Sequence, residues 1–329
     1  MSVIEELARN PTRWIVAQRP GRHPLDSTKP QAFFLEQEPS ATGGLIEVAT
    51  IFLTNRECPW HCLHCDLWKN TLRRSLVPGM IPRQIDYALA RLCGHAAAIK
   101  LYNSGSFFDR GAIPPSDIAP IAERVARFDQ VIVECHPALV GRRVLSFRNL
   151  LEEQSKPSRG IPALLEVALG LEIANDAVLE RLNKRMTLDQ FKRAADFLRQ
   201  NRMGLRVFVL VQPPFVSNGS AALEWANRST DFAFACGADI VSLIPTRPGN
   251  GALDALQRAG EFSPPKISTL EKALAYGLGL NRGRILADLW DLKIFSRCDR
   301  CFEQRRQRLE KMNLTQTILP DVECDCREA

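Results

Sequence analysis

The sequence predicts an α/β fold in which a parallel sheet is rolled into part of a (β/α) barrel. Short runs rich in β-branched and other apolar residues alternate with stretches of helical period over about 200 residues. The runs are apolar on both faces, as strands are when helices cover a parallel sheet. They are LIEVATIFLT (45–54), AAIKLYN (97–103), DQVIVEC (129–135), LLEVALGLE (164–172), LRVFVLVQ (205–212) and ADIVSLIP (238–245). Six such units fall short of the eight of a full barrel and give a partial (β/α)6, TIM-like barrel. GRILADLW (283–290) offers one more strand.

In chain order, residues 1–44 are rich in Pro, Arg and Gly without a sustained period, and read as an irregular N-terminal extension. The barrel occupies 45–250, and 251–329 form a C-terminal extension that carries a second group of cysteines. Between the strands, IPRQIDYALARLCG reads as a helix with Pro82 near its start and Gly94 as its stop. TLDQFKRAADFLRQNRMG opens on a capping box, Thr187 to Gln190, and closes on Gly204.

With 45% hydrophobic and 24% charged residues, the 329-residue chain can bury one large core. Its longest apolar runs, about ten residues, are too short to cross a bilayer. MSVIEELARNPTRW lacks the apolar centre of a signal peptide, so a cytoplasmic location without a membrane partner is expected. The net charge of +6 permits a nucleic-acid partner without requiring one. Residues 292–312 concentrate it, with seven Lys/Arg against three Asp/Glu. A solvated helix face accounts for such a run as well as an anionic ligand does.

Ten cysteines without a secretory leader point to metal or thiol chemistry rather than disulfides. Cys93, Cys135 and Cys236 stand singly and read as small buried hydrophobes. Cys58, Cys62 and Cys65 fall together in CPWHCLHC, directly after the first barrel strand. Barrel folds place their chemistry at that end of the strands. Three centres compete for this loop. A closed zinc site needs four ligands, for which His61 or His64 would have to serve without a second knuckle. A redox CxxC uses Cys62 and Cys65 and leaves Cys58 unexplained. Three thiolates can instead hold three irons of a [4Fe–4S] cluster and leave the fourth iron open.

The loop, with His64 before its last cysteine, resembles the signature of the radical SAM superfamily, a CxxxCxxC loop after the first strand of a partial (β/α)6 barrel. The resemblance implies a [4Fe–4S] cluster on Cys58, Cys62 and Cys65 whose open iron binds S-adenosylmethionine. An electron from a reducing partner such as flavodoxin or ferredoxin would cleave that cofactor to a 5′-deoxyadenosyl radical. YNSGSFFD stands where the family has a small, Gly-containing turn, which implies that Asn103, Ser104, Gly105 and Ser106 receive the cofactor's ammonium group. VECHP with Glu134, GLE with Glu172 and NKR with Lys184 resemble the branch of the Elongator catalytic subunit, MiaB-like methylthiotransferases and oxygen-independent coproporphyrinogen dehydrogenase. There these positions contact the methionine and ribose parts of the cofactor, carboxylates suiting hydroxyl donors and a cation suiting a carboxylate. Lys184 stands where Arg is more usual.

LLEVALGLEIANDAVLERLNKRMTLDQF, VFVLVQPPFVS and GADIVSLIPTRPGNGALDALQRAGEFSPP are most similar to the radical SAM subunit of archaeosine synthase, which remodels a deazaguanine base in tRNA. The compact cysteine spacing departs from that subunit, where a longer gap is expected. The resemblance implies a radical SAM enzyme acting on a tRNA base. A small metabolite or a peptide is the alternative substrate, and a zinc-stabilised nucleic-acid-binding protein without catalysis is a further reading. No residue stands out as the catalytic group that meets the substrate.

Cys298-x2-Cys301 and Cys324-x-Cys326 supply the right number of thiols for structural zinc or for an all-cysteine auxiliary cluster. The tight CxC half leaves a metal-free reading open as well. A metal there would hold the basic segment beside the barrel mouth, where Arg305, Arg306 and Arg308 could meet a phosphate backbone.

Overall fold

The computed structural model describes residues 2–216 and 219–326. Eight strands form one sheet in sequential order. They are β1 (Ala32–Pro39), β2 (Leu45–Phe52), β3 (Ala98–Tyr102), β4 (Gln130–Cys135), β5 (Leu164–Glu172), β6 (Gly204–Val211), β7 (Ile240–Pro245) and β8 (Arg284–Ala287). β1 runs antiparallel to β2, and every later pairing is parallel. All seven apolar runs of the sequence are strands, 283–290 included.

Helices α1 (Val3–Arg9) and α2 (Pro11–Ala17) precede β1. The crossovers carry α3 (Met80–Leu89), α4 (Ile118–Val125), α5 (Arg142–Arg159), α6 (Asp176–Arg181), α7 (Leu188–Gln200), α8 (Ser220–Ala235), α9 (Ala252–Arg258) and α10 (Ile267–Leu280). α11 (Asp299–Thr315) follows β8. Residues before 45 are thus more regular than expected: two helices of seven residues each, capped by the side chains of Ser2 and Asn10, and one strand. Two helical turns are too few to display a period. α7 carries the expected capping box at Thr187. α3, however, ends at Leu89, and Gly94 lies in the loop beyond it with φ 149°. Gly204 does not stop α7 but opens β6, where an added Cβ would stand 3.2 Å from the Cβ of Glu166.

The sheet curls, as its interior contacts require. Glu38 on β1 accepts two hydrogen bonds from Arg206 on β6, at 3.0 and 2.8 Å, and one from Lys100 on β3 at 2.5 Å. Arg206 Nε also donates to Glu166 on β5 at 2.7 Å. Burial alone would raise the Glu38 carboxyl, but the Arg206 and Lys100 cations beside it hold it below the usual carboxylate range. Two residues further along the strands, Tyr102 packs between Phe52 and Phe208 at centroid distances of 5.9 and 6.2 Å. An aromatic layer therefore separates the ionic layer from the mouth formed by the strands' C-terminal ends.

α11 touches both edge strands, β1 and β8. Along β8 its side-chain amides take the place of a ninth strand. Asn313 Oδ1 accepts from Ala287 N at 2.8 Å, and Asn313 Nδ2 donates to Ala287 O at 2.8 Å. Gln316 does the same at Ile285, at 2.9 Å in both directions. An open edge that would otherwise template foreign strands is covered. Among the described residues no helix is long and apolar enough to cross a membrane.

Candidate functional site

The cysteine loop leaves β2 at the mouth and meets the turns after β3, β4 and β5 there. Glu134, near the end of β4, accepts the backbone N–H groups of Asn103 at 2.5 Å and Gly105 at 3.1 Å. The turn 103–106 is thereby pressed against the loop, so that an added Cβ on Gly105 would stand 3.0 Å from the Cβ of Cys58. Burial pushes the Glu134 carboxyl up to about 7, against the pull of those backbone donors. Glu172, the last residue of β5, accepts from Lys184 Nζ at 2.5 Å and lies 3.6 Å from His64 Nε2. The pair exists because position 170 is glycine. A Cβ there would overlap the Glu172 carboxylate and stand 2.5 Å from the Lys184 ammonium.

Cys58, Cys62, Cys65, Gly105, Glu134, Glu172 and Lys184 therefore share one mouth. The backbone around them is held in the left-handed region at His61, Ser104, Glu172, Asn183 and Arg185, with φ of 53°, 54°, 66°, 52° and 53°. Such conformations persist where surrounding contacts over-determine them.

Those contacts come from residues that no sequence motif announced. Asn183 Nδ2 donates to the carbonyls of Trp60 at 3.2 Å and His61 at 3.0 Å. Asn250 Nδ2 donates to Leu63 O at 2.8 Å and Cys65 O at 3.3 Å. Trp60 stacks on His136 with centroids 4.1 Å apart and planes 14° from parallel. His136 Nδ1 accepts the N–H of Ala138, which fixes the tautomer in which Nε2 donates to Lys184 O at 3.0 Å. Burial, and then the Lys184 charge, push His136 down to about 3, so the ring is neutral. Glu57 binds Arg19 and Arg22, and Arg19 lies over Trp68 at 4.7 Å. The N-terminal segment thus braces the cysteine loop. The one usable signal was the pair of glycines around Asn250, whose φ of 100° and 86° form the turn that presents the amide.

Burial pushes the Cys58 thiol up to about 12 and also raises Cys62 and Cys65. Only a bound cation would make thiolates of them at neutral pH. Both amide atoms of Asn103 and Nδ1 of His64 are buried without a hydrogen-bond partner, an arrangement that calls for a polar ligand. The residues present fit a [4Fe–4S] cluster with a polar cofactor beside it.

Three expectations are corrected. Arg305 and Arg308 do not face solvent: both are buried, at 2.7 and 3.3 Å from the Glu271 carboxylate. Arg306 is engaged on the helix surface by Glu303 at 2.7 Å and Glu310 at 3.1 Å. This segment is an intramolecular ion-pair set rather than a phosphate-binding face. Of the single cysteines, only Cys135 is buried, while Cys93, in the loop beyond α3, is exposed and Cys236 is half-buried.

No protein-family model matches the chain. Uncharacterized protein MJ0550 of Methanocaldococcus jannaschii is 23% identical over 92% of the chain and 86% of its own length. Archaeosine synthase subunit beta of Methanosarcina acetivorans is 27% identical over 70% of the chain and 67% of its own length. The protein of that name from Thermococcus kodakarensis is 32% identical over 36% of each. Among solved structures, the radical S-adenosylmethionine methyltransferase TsrM of Kitasatospora setae matches 64% of the chain and 39% of itself, at 14% identity and a TM-score of 0.44. The Escherichia coli radical SAM enzyme HemN, coproporphyrinogen III oxidase, matches 69% of the chain and 50% of itself, at 12% identity and a TM-score of 0.43. The similarity to archaeosine synthase subunit beta read from the motifs is found again in the two relatives of that name, and the chain spans half or less of each of these two structures.

Proposed function

We propose that the chain is a radical SAM enzyme that modifies a tRNA base of the deazaguanine type. The observation that carries the reading is the Cys58–Cys62–Cys65 loop at the mouth of the curled sheet, beside the buried, unpartnered amide of Asn103. The named relatives point the substrate reading toward archaeosine synthesis. Cys58, Cys62 and Cys65 would hold a [4Fe–4S] cluster, which would supply the electron for reductive cleavage of S-adenosylmethionine.

The chain's own residues bind and orient. Lys184 offers its cation to the cofactor carboxylate while Glu172 keeps that cation placed. The turn Asn103–Ser106, fixed by Glu134, offers backbone and the buried Asn103 amide to the cofactor's polar atoms. Asn183 and Asn250 hold the loop carbonyls, so the thiols keep their spacing. The electron donor is a flavodoxin- or ferredoxin-type protein in the cytoplasm, and the "subunit beta" of the relatives' name argues for a companion subunit.

Anaerobically reconstituted protein with dithionite should cleave S-adenosylmethionine, and a triple Cys58→Ala/Cys62→Ala/Cys65→Ala variant should not. Mass spectrometry of tRNA nucleosides from a strain lacking the gene should then show a missing deazaguanine nucleoside. An unchanged nucleoside profile alongside intact cofactor cleavage would move the substrate to a metabolite or peptide.

A further inference from the structure

We infer that Cys298, Cys301, Cys324 and Cys326 form a closed tetrahedral Zn(II) site that fastens the C-terminal tail to α11, the helix that bridges the two edges of the sheet. Four thiols lie within 4.8 Å of one another, with Cys298 to Cys324 at 3.9 Å and Cys301 to Cys326 at 3.6 Å. A tetrahedron with metal–sulfur bonds of about 2.3 Å has edges of about 3.8 Å. The measured separations are those of four ligands around one ion. An iron–sulfur cubane would spread its cysteines further, and a disulfide would draw one pair to about 2.05 Å. The four cysteines are free.

Charge and topology agree with this assignment. Four thiolates around Zn(II) carry a net charge of −2, and two guanidinium groups stand beside them. Arg300 lies against Cys298 and Cys324, and Arg305 against Cys301 and Cys326, while also binding Glu271. Cys298 caps α11 and Cys301 lies in its first turn, while the other end of the helix is docked on β8 through Asn313 and Gln316. The tail returns along the helix, where Arg308 donates to Leu319 O at 2.8 Å and Pro320 O at 2.7 Å. That path delivers Cys324 and Cys326 to the helix start. With every coordination position taken by sulfur, the ion has no place for substrate or water and acts on stability.

The test uses the Cys58→Ala/Cys62→Ala/Cys65→Ala variant of the full chain, so its result is independent of the radical chemistry. Purified under reducing conditions, it should hold about one zinc atom per chain by elemental analysis, with negligible iron. Adding Cys298→Ser and Cys324→Ser should lower zinc at least tenfold. Cobalt exchanged into the otherwise intact tetrad should give the visible bands of tetrahedral thiolate coordination, a readout that needs no folded Ser variant. Folded, metal-free protein that binds no cobalt would overturn the assignment. So would iron and sulfide that survive loss of the triad, or a Cys298–Cys324 disulfide found by mass spectrometry in reduced preparations.

Discussion

The Asn250 amide donates to the carbonyl of Cys65 from 185 positions away in sequence, and to that of Leu63 at 2.8 Å. Its own carbonyl accepts the N–H of Leu253 at 2.7 Å, so one residue starts α9 and holds the last cysteine of the triad. Replacing it with Ala orphans buried carbonyls at a cost of about 1–3 kcal/mol. Asn250→Asp keeps the bond to Leu253 but sets a carboxylate oxygen against the two carbonyls in place of the donor. Both variants should hold less iron and sulfide per chain after reconstitution than the parent. Undiminished iron in Asn250→Asp would remove Asn250 from the support of the loop.

Gly170 controls the Glu172–Lys184 pair. The Ala methyl group has no room beside the Lys184 ammonium, at 2.5 Å, and must separate the two charges. Gly170→Ala should keep its cluster absorbance, because the cysteine loop is anchored elsewhere, but should bind S-adenosylmethionine at least tenfold more weakly. Calorimetric titration of the reconstituted protein reads this directly. Unchanged affinity would detach the pair from cofactor binding.

The strands β2–β8 were legible because helices cover them outside and the core fills much of the inside, which leaves apolar runs. β1 was hidden by the same logic. Its inward residues are Glu36 and Glu38, whose partners Lys100 and Arg206 sit in strands that otherwise read as apolar. The cysteine triad was legible because metal ligands need fixed residue types at fixed spacing. Asn183, Asn250 and His136 were not, since each meets a backbone carbonyl, and any part of the chain can present one. Arg305 and Arg308 misled for a related reason. Composition counts their charges but not the Glu271 on α10 that consumes them.

The interior ion layer should be costly to break and less costly to replace. Arg206 is buried between Glu38 and Glu166, at 2.8 and 2.7 Å. Arg206→Met leaves two buried carboxylates facing an apolar side chain, a loss of about 3–5 kcal/mol. Adding Glu38→Gln and Glu166→Gln should recover part of it, because neither site then holds a carboxylate that lacks Arg206, while Lys100 keeps Glu36 at 2.8 Å. Urea unfolding of the three proteins measures both steps. A single variant within about 0.5 kcal/mol of the parent would show the layer to be solvated.

His136 should make the fold acid-sensitive in a window of its own. Its folded value is depressed to about 3 from an ordinary 6.5, first by burial and then by the Lys184 charge, with Glu172 opposing. For a depressed histidine the stabilisation is present above pH 6.5 and is lost as pH falls, because only the unfolded chain takes up the proton. The slope is about 1.4 kcal/mol per pH unit at most. Other groups act in the same range. His61 is depressed too, mainly by burial, and Glu134, raised to about 7, favours the folded state as pH falls from 7 toward 4.5. The carboxyls of Glu38 and Glu172, held low by their cations, contribute only below 4.5. The parent's own curve therefore mixes opposite signs, and the comparison with His136→Gln isolates the ring. Gln can donate to Lys184 O and accept from Ala138 N, and it does not titrate. Between pH 6.5 and 4.5 the stability of the parent relative to this variant should fall, the slope growing toward about 1.4 kcal/mol per unit as the unfolded ring becomes fully protonated. Parallel unfolding curves for the two proteins would mean that His136 gains its proton as readily in the folded state as in the unfolded one.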